Sequence, residues 1–115
     1  MTLEAGLNTI LSPLATNKVW AVEAPQNTKG SYIVFEETSE RRVYSHGGYS
    51  HLSERWFQFY CFGDTYDAAK TLAEQVIDTL EIWNGVQAAF LDGKSDTFEV
   101  TTNKFLCLLS FKFWY

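Results

Sequence analysis

Several groups of residues carry side chains able to do chemistry. His46 and His51 lie close to each other in sequence, with Glu54 just beyond. Two imidazoles beside a carboxylate are the start of a zinc site or of an acid–base pair for a small hydrolase. Zinc takes a third or fourth ligand in fixed geometry, and the intervening Gly47-Gly48 is a poor frame for one. These histidines therefore read as solvated loop residues. His46-Gly47-Gly48 is also similar to an oxyanion-hole loop, yet no Gly-x-Ser-x-Gly elbow supplies a nucleophile. Gly93-Lys94-Ser95 has the ending of a phosphate-binding loop, but Ala88 stands where the motif's first glycine belongs, so a hairpin turn is the reading.

Glu36, Glu37 and Glu40 offer carboxylates for proton transfer or cation binding. Strand alternation puts Glu36 and Glu40 on one face and Glu37 on the other, with Arg41 and Arg42 adjacent to neutralise them. A charged hairpin projecting from the body is the simpler account, and charge on exposed strands also discourages edge pairing. Trp56, Tyr60 and Phe62 present rings for base stacking but lack a surrounding cluster of Lys and Arg, so core packing is expected of them. No catalytic residue, metal ligand or cofactor is expected.

The bulk properties agree. The chain has 115 residues, 46% of them hydrophobic and 17% aromatic, which suits one domain spanning residues 1–115 with apolar area to spare for a partner. A formal net charge of −5 removes the basic footprint of a protein that grips nucleic acid through phosphates. There is no apolar run of about 18 residues and no charged-then-apolar leader, so a soluble protein without a membrane partner is expected. Cys61 and Cys107 fall in aromatic strand-like stretches and read as buried free thiols, a disulfide remaining open if those strands are neighbours.

These residues need elements to position them. Leu3, Leu7, Ile10, Leu11 and Leu14 share a helical face that Pro13 interrupts. Lys18 to Val22 reads as a brief strand and residues 24–30 as a loop. Tyr32 to Tyr44 reads as a long strand whose polar second half leaves the body. Residues 45–51 form a flexible tip, and the return strand re-enters the core at Trp56. Gly63-Asp64-Thr65 ends that strand and caps a helix whose apolar stripe runs Ala69, Leu72, Ala73, Val76, Ile77, Leu80 and Trp83, with Asn84-Gly85 supplying a left-handed stop. Val86 to Leu91 is expected to pair with Phe98 to Thr102 across an Asp92-Gly93 turn. The last strand, Lys104 to Tyr115, is apolar on both faces, as in a central strand or one partly covered by another subunit. The fold class is α+β, with two helices packed on one face of a mainly antiparallel or mixed β-sheet and a projecting β-hairpin.

A resemblance rests on the order of these segments. The strand bearing Gln58 and the helix opened by Thr65-Tyr66-Asp67-Ala68-Ala69 resemble the tail-completion, or tail-terminator, family of long-tailed bacteriophages. Ala24-Pro25-Gln26, the segment Ser31 to Glu36, Gly47-Gly48 and the closing Ser110 to Tyr115 extend it over nearly the whole chain, while Ser31 stands where a proline is expected and Val86 to Asn103 finds no counterpart. The resemblance implies a non-enzymatic virion protein at the head–tail junction, made in the host bacterial cytoplasm. Its implied partners are further copies of itself in a ring, a hexamer by family resemblance, together with the tail-tube protein and the head connector. DNA is passing cargo. Under that reading the interface residues are expected at Glu37, Glu40, Arg41, Arg42, His46, Tyr49, Trp114 and Tyr115. The competing readings are a small ligand-binding or regulatory α+β module and a hydrolase using the His46 to Glu54 loop.

Overall fold

The computed structural model describes residues 3–15, 19–21, 30–45, 47–86, 88–99 and 104–115. Its elements are α1 (Leu3–Leu11), a 3₁₀ turn (Ser12–Ala15), β1 (Val19–Ala21), β2 (Tyr32–Ser45), β3 (Gly48–Gly63), α2 (Tyr66–Glu81), β4 (Ala88–Glu99) and β5 (Lys104–Trp114). The strands form one sheet in the order β1-β2-β3-β5-β4, with β1 parallel to β2 and every other pair antiparallel. The α+β class with a mixed sheet is thus as expected. The loop foreseen at residues 24–30 lies almost wholly outside the described residues.

Alternation along the strands builds the core. Ile33 and Phe35 of β2, Phe57, Phe59 and Cys61 of β3, and Cys107, Leu109, Phe111 and Phe113 of β5 point to one face. There they meet Leu3, Leu7 and Leu11 of α1 and the Leu72, Ala73, Val76, Ile77 and Leu80 stripe of α2. Pro13 falls in the 3₁₀ turn, where its missing N–H ends the α-helical ladder. The N-terminus of α2 is fixed by Thr65, whose hydroxyl accepts from the Ala68 N–H at 3.1 Å, with Asp67 favourable in the first turn. Gly63 lets α2 approach, because a Cβ there would lie 2.6 Å from the Ala69 backbone nitrogen.

Three sequence expectations are corrected. Gly85 does not end α2 in the left-handed region; the helix stops at Glu81, Ile82 caps it at φ −103°, and the Trp83 N–H donates to the Leu80 carbonyl at 3.3 Å. What Gly85 provides is space, since a Cβ would sit 2.4 Å from the Trp83 ring. Second, Asp92-Gly93 is not a hairpin turn. β4 runs straight through it, and the register passes from Leu91↔Phe111 to Gly93↔Ser110, leaving Asp92 as the extra residue of a β-bulge. An Asp-Gly pair accommodates either geometry, and here the neighbouring β5 holds the whole segment as a single edge strand. Third, the described part of the tip at residues 45–51 is mostly strand: after a register shift between Val43 and Tyr44, Tyr44↔Tyr49 and Ser45↔Gly48 pair, and Gly48 takes φ +118°.

Candidate interface at the hairpin base and the open sheet face

β2 and β3 pair from Tyr32↔Phe62 out to Ser45↔Gly48, and this long hairpin stretches the molecule to 51 Å against 25 and 23 Å in the other directions. At its base β2 carries a bulge. Glu37 faces Phe57 and Ser39 faces Trp56, so Thr38 is extra, and its hydroxyl donates to the Trp56 carbonyl at 3.2 Å. The extra residue inverts the alternation beyond it. Glu40 comes to lie across from Arg55, on the helix side with Glu37, while Glu36 alone faces the other way. The sequence expectation that paired Glu36 with Glu40 is therefore reversed, because counting by twos fails across a bulge.

Arg55 gathers these acids. Its Nη2 donates to Glu4 Oε1 of α1 at 2.9 Å and its Nε to Glu37 Oε2 at 2.5 Å, and its guanidinium lies 5.7 Å from the centroids of both Phe57 and Tyr115. Burial works against its charge, but Glu37, Glu4 and Glu40 outweigh that and raise its pKa. Sequence reasoning passed over this residue. The signal was present, since Arg55 shares parity with the buried Phe57, Phe59 and Cys61.

The sheet face turned away from the helices is open at the same end. Crossing the sheet, Arg41, Glu54, Trp114 and Ala88 form one row, and Ser39, Trp56, Lys112 and Phe90 form the next. Lys112 Nζ sits 6.0, 5.8 and 5.5 Å from the ring centroids of Trp56, Phe90 and Trp114, an arrangement that favours the cation. A polar row of Glu36, Gln58 and Ser110 follows. The Tyr60 hydroxyl donates to Glu36 Oε1 at 2.8 Å and lies equally close to the Gln58 side chain. Farther on, Tyr32, Val34 and Phe62 form a second buried cluster with Trp20, Tyr60 and Leu106 around it. Phe62 and Tyr60 thus pack as core, though in this second cluster, whereas Trp56 joins neither cluster, a correction that follows from parity: Phe57, Phe59 and Cys61 hold the positions facing the helices.

The expected interface residues divide accordingly. Glu40, Arg41, Arg42 and Trp114 line one open hollow of about 770 Å³ with Tyr44 and Glu54. Glu37 is turned away into the Arg55 cluster, and Tyr115 lies beside Arg55 with its backbone exchanging hydrogen bonds with Ser53 at 2.9 and 3.0 Å. His46 lies outside the described residues, and of Tyr49 only the backbone pairing with Tyr44 is described. A second, smaller hollow adjoins, between Thr38, Ser39, Trp56 and Gln58 on one side and Asp92 and Ser110 on the other. Both are open concavities suited to contact with another surface.

β4 closes the far edge. Lys94 pairs with Glu74, and Asp96 accepts from Lys70 at 3.2 Å and from Tyr66 at 3.1 Å, so this strand is tied to α2 by charge. Gly93-Lys94-Ser95 lies in that strand, paired with Ser110, Leu109 and Leu108, and forms no phosphate-cradling loop. Among the described residues no three His, Cys, Asp or Glu side chains gather as a metal site, and no helix is long and apolar enough to cross a membrane.

Neither a family model nor a curated protein matches the chain. Among solved structures, the fold is similar to that of a chain in the virion of a native gene transfer agent particle, with a TM-score of 0.72 and 16% identity over 97% of this chain and 92% of that one. At that identity the likeness is one of fold.

Proposed function

We propose that this chain is a structural virion protein of a phage-like particle, acting as one domain to end the tail tube and join it to the head connector. The observation that carries the reading is the fold shared, over nearly the full length of both chains, with a component of a gene transfer agent virion. Two features of this chain support it. The sheet face opposite the helices keeps Trp56, Trp114 and Phe90 gathered around Lys112, and such aromatic side chains are what protein interfaces favour. The hairpin carries Glu40, Arg41, Arg42 and Tyr44 exposed at the end of the sheet from which it leaves the body, where a neighbour can meet them. In this reading copies associate head to tail into a closed ring, a hexamer by resemblance to the tail-terminator family, against the tail tube on one side and the connector on the other. The net charge of −5 lets DNA pass as cargo without adhering. The role calls for no catalysis.

Negative-stain imaging and light scattering of the protein, alone and with tail-tube protein, test this. Rings or capped tubes are expected, and replacing Trp56 and Trp114 together by Ser should suppress them while leaving the melting transition in place. A monomer that joins neither tube nor connector overturns the proposal. Deleting the gene in the parent particle should give filled heads and unattached tails, and intact virions after deletion would refute it equally.

A further inference from the structure

Cys61 and Cys107 are direct partners across β3 and β5. Both are free thiols, 0% and 1% exposed, on the face beneath α2. Their pair type follows from the end of the ladder. Ser53 and Tyr115 exchange both backbone hydrogen bonds, and the β3–β5 register runs from Glu54↔Trp114 to Gly63↔Phe105 without a shift. Every second pair inward repeats that pattern, and Cys61↔Cys107 is one of them. Such partners have Cα atoms about 5.5 Å apart, inside the roughly 4.4–6.8 Å range that a disulfide spans. Their Cβ atoms share a face toward the wide end, about 5.5 Å, of the cross-strand range because hydrogen-bonded pairs are the wider kind, so closing the bond draws the two side chains together by about 1–2 Å.

We infer that Cys61 and Cys107 are a disulfide-forming pair that staples the two central strands when the protein meets an oxidising medium. A low-molecular-weight disulfide such as oxidised glutathione supplies the oxidant. One protein thiolate attacks it, breaking its S–S bond and releasing one glutathione thiol. The second protein thiolate then attacks the protein-side sulfur of the mixed disulfide and expels the second glutathione. Two protein S–H groups become one S–S bond, two electrons pass to the glutathione disulfide, and the two protons end on the released thiols. Burial raises the pKa of both sulfurs, with Cys107 further opposed by the Asp96 carboxylate opposite it on β4 and Cys61 by Cys107 itself. The thiolate is scarce in the closed fold, so exchange proceeds mainly as the chain folds or opens. The inference is independent of the assembly reading.

The test is equilibrium refolding of the full chain in glutathione buffers of graded oxidised-to-reduced ratio, with the same series run in denaturant. The expected product under native conditions is a monomer lighter by two hydrogens, in which a digest links the Cys61 and Cys107 peptides. Its near-UV spectrum should match the reduced protein, and half-conversion should need an oxidised-to-reduced ratio at least about tenfold lower than in denaturant. Cys61→Ser and Cys107→Ser controls should yield no such species. Two thiols still titratable after unfolding, glutathione adducts on both sulfurs, or half-conversion no easier than in denaturant would each overturn the inference.

Discussion

Arg55 of β3 and Glu4 of α1 meet at 2.9 Å although 51 residues separate them in sequence. The same guanidinium takes Glu37 of β2, so a single side chain, 15% exposed, ties the first helix to the root of the hairpin. Arg55→Met should cost about 2 kcal/mol, less than a fully buried ion pair because Glu4 stays partly in water. Arg55→Lys keeps the charge but loses the fork and should cost about 1 kcal/mol. Thermal melting of both variants checks this; equal loss in the two would show that the fork geometry is irrelevant.

Gly63 and Gly85 both lack room for a Cβ, yet for different reasons. At Gly63 the obstacle is the Ala69 backbone nitrogen at 2.6 Å, which cannot yield without moving α2, so Gly63→Ala should destabilise by about 2 kcal/mol or more. At Gly85 the obstacle is the Trp83 ring, which can swing aside. Gly85→Ala should therefore melt near the parent while changing the tryptophan fluorescence.

Leu72 is buried on the core-facing side of α2, whereas Ile82, just past the helix, is 85% exposed. Leu72→Ala should cost about 3 kcal/mol and Ile82→Ala no more than about 0.5 kcal/mol. Denaturant titration separates them, and an unchanged midpoint for Leu72→Ala would displace α2 from the core.

Tyr60 has its pKa pushed up from 10.0 to about 12, first by burial and then by the hydrogen bond and charge of Glu36. The native protein holds this phenolic proton longer than the unfolded chain does. Its contribution to stability is complete below pH 10.0 and disappears as pH rises through about 12. Alkaline absorbance titration should show Tyr60 ionising late, alongside Tyr32, which burial and Glu99 also push up, and Glu36→Gln should bring the Tyr60 transition to lower pH. No movement would leave burial as the sole cause.

Legibility in the sequence followed the range of the forces involved. The stripe of α2 and a cap at Asp64 or Thr65 rest on local periodicity and local hydrogen bonds, and these were readable, whereas the aromatic run of β3 and the two apolar faces of β5 did not reveal which parity turns to the helices. The bulges at Thr38 and Asp92 depend on how many residues the partner strand offers, which no single segment encodes. Thr38 thus overturned the facing of Glu40, and Asp92 turned an expected hairpin into one continuous strand. Arg55 was hidden for a related reason, since its value lies in acids contributed by α1 and β2. The hollow uniting Arg41 and Arg42 with Trp114 joins an expected hairpin to an expected last strand, whereas the ring cluster around Lys112 emerged only from the register.

The two extra residues occupy the same level of the sheet. Among the described residues β1 flanks β2 only as far as Phe35, which leaves β2 and β4 as the outermost described strands beyond it, and Thr38 and Asp92 lie immediately on either side of the row Glu37, Phe57, Phe111 and Leu91. A ribbon whose two margins are longer than its midline cannot lie flat; the surplus forces it into a saddle. The hairpin is consequently steered by a warp at its root, and deleting either surplus residue should re-aim it as a rigid arm.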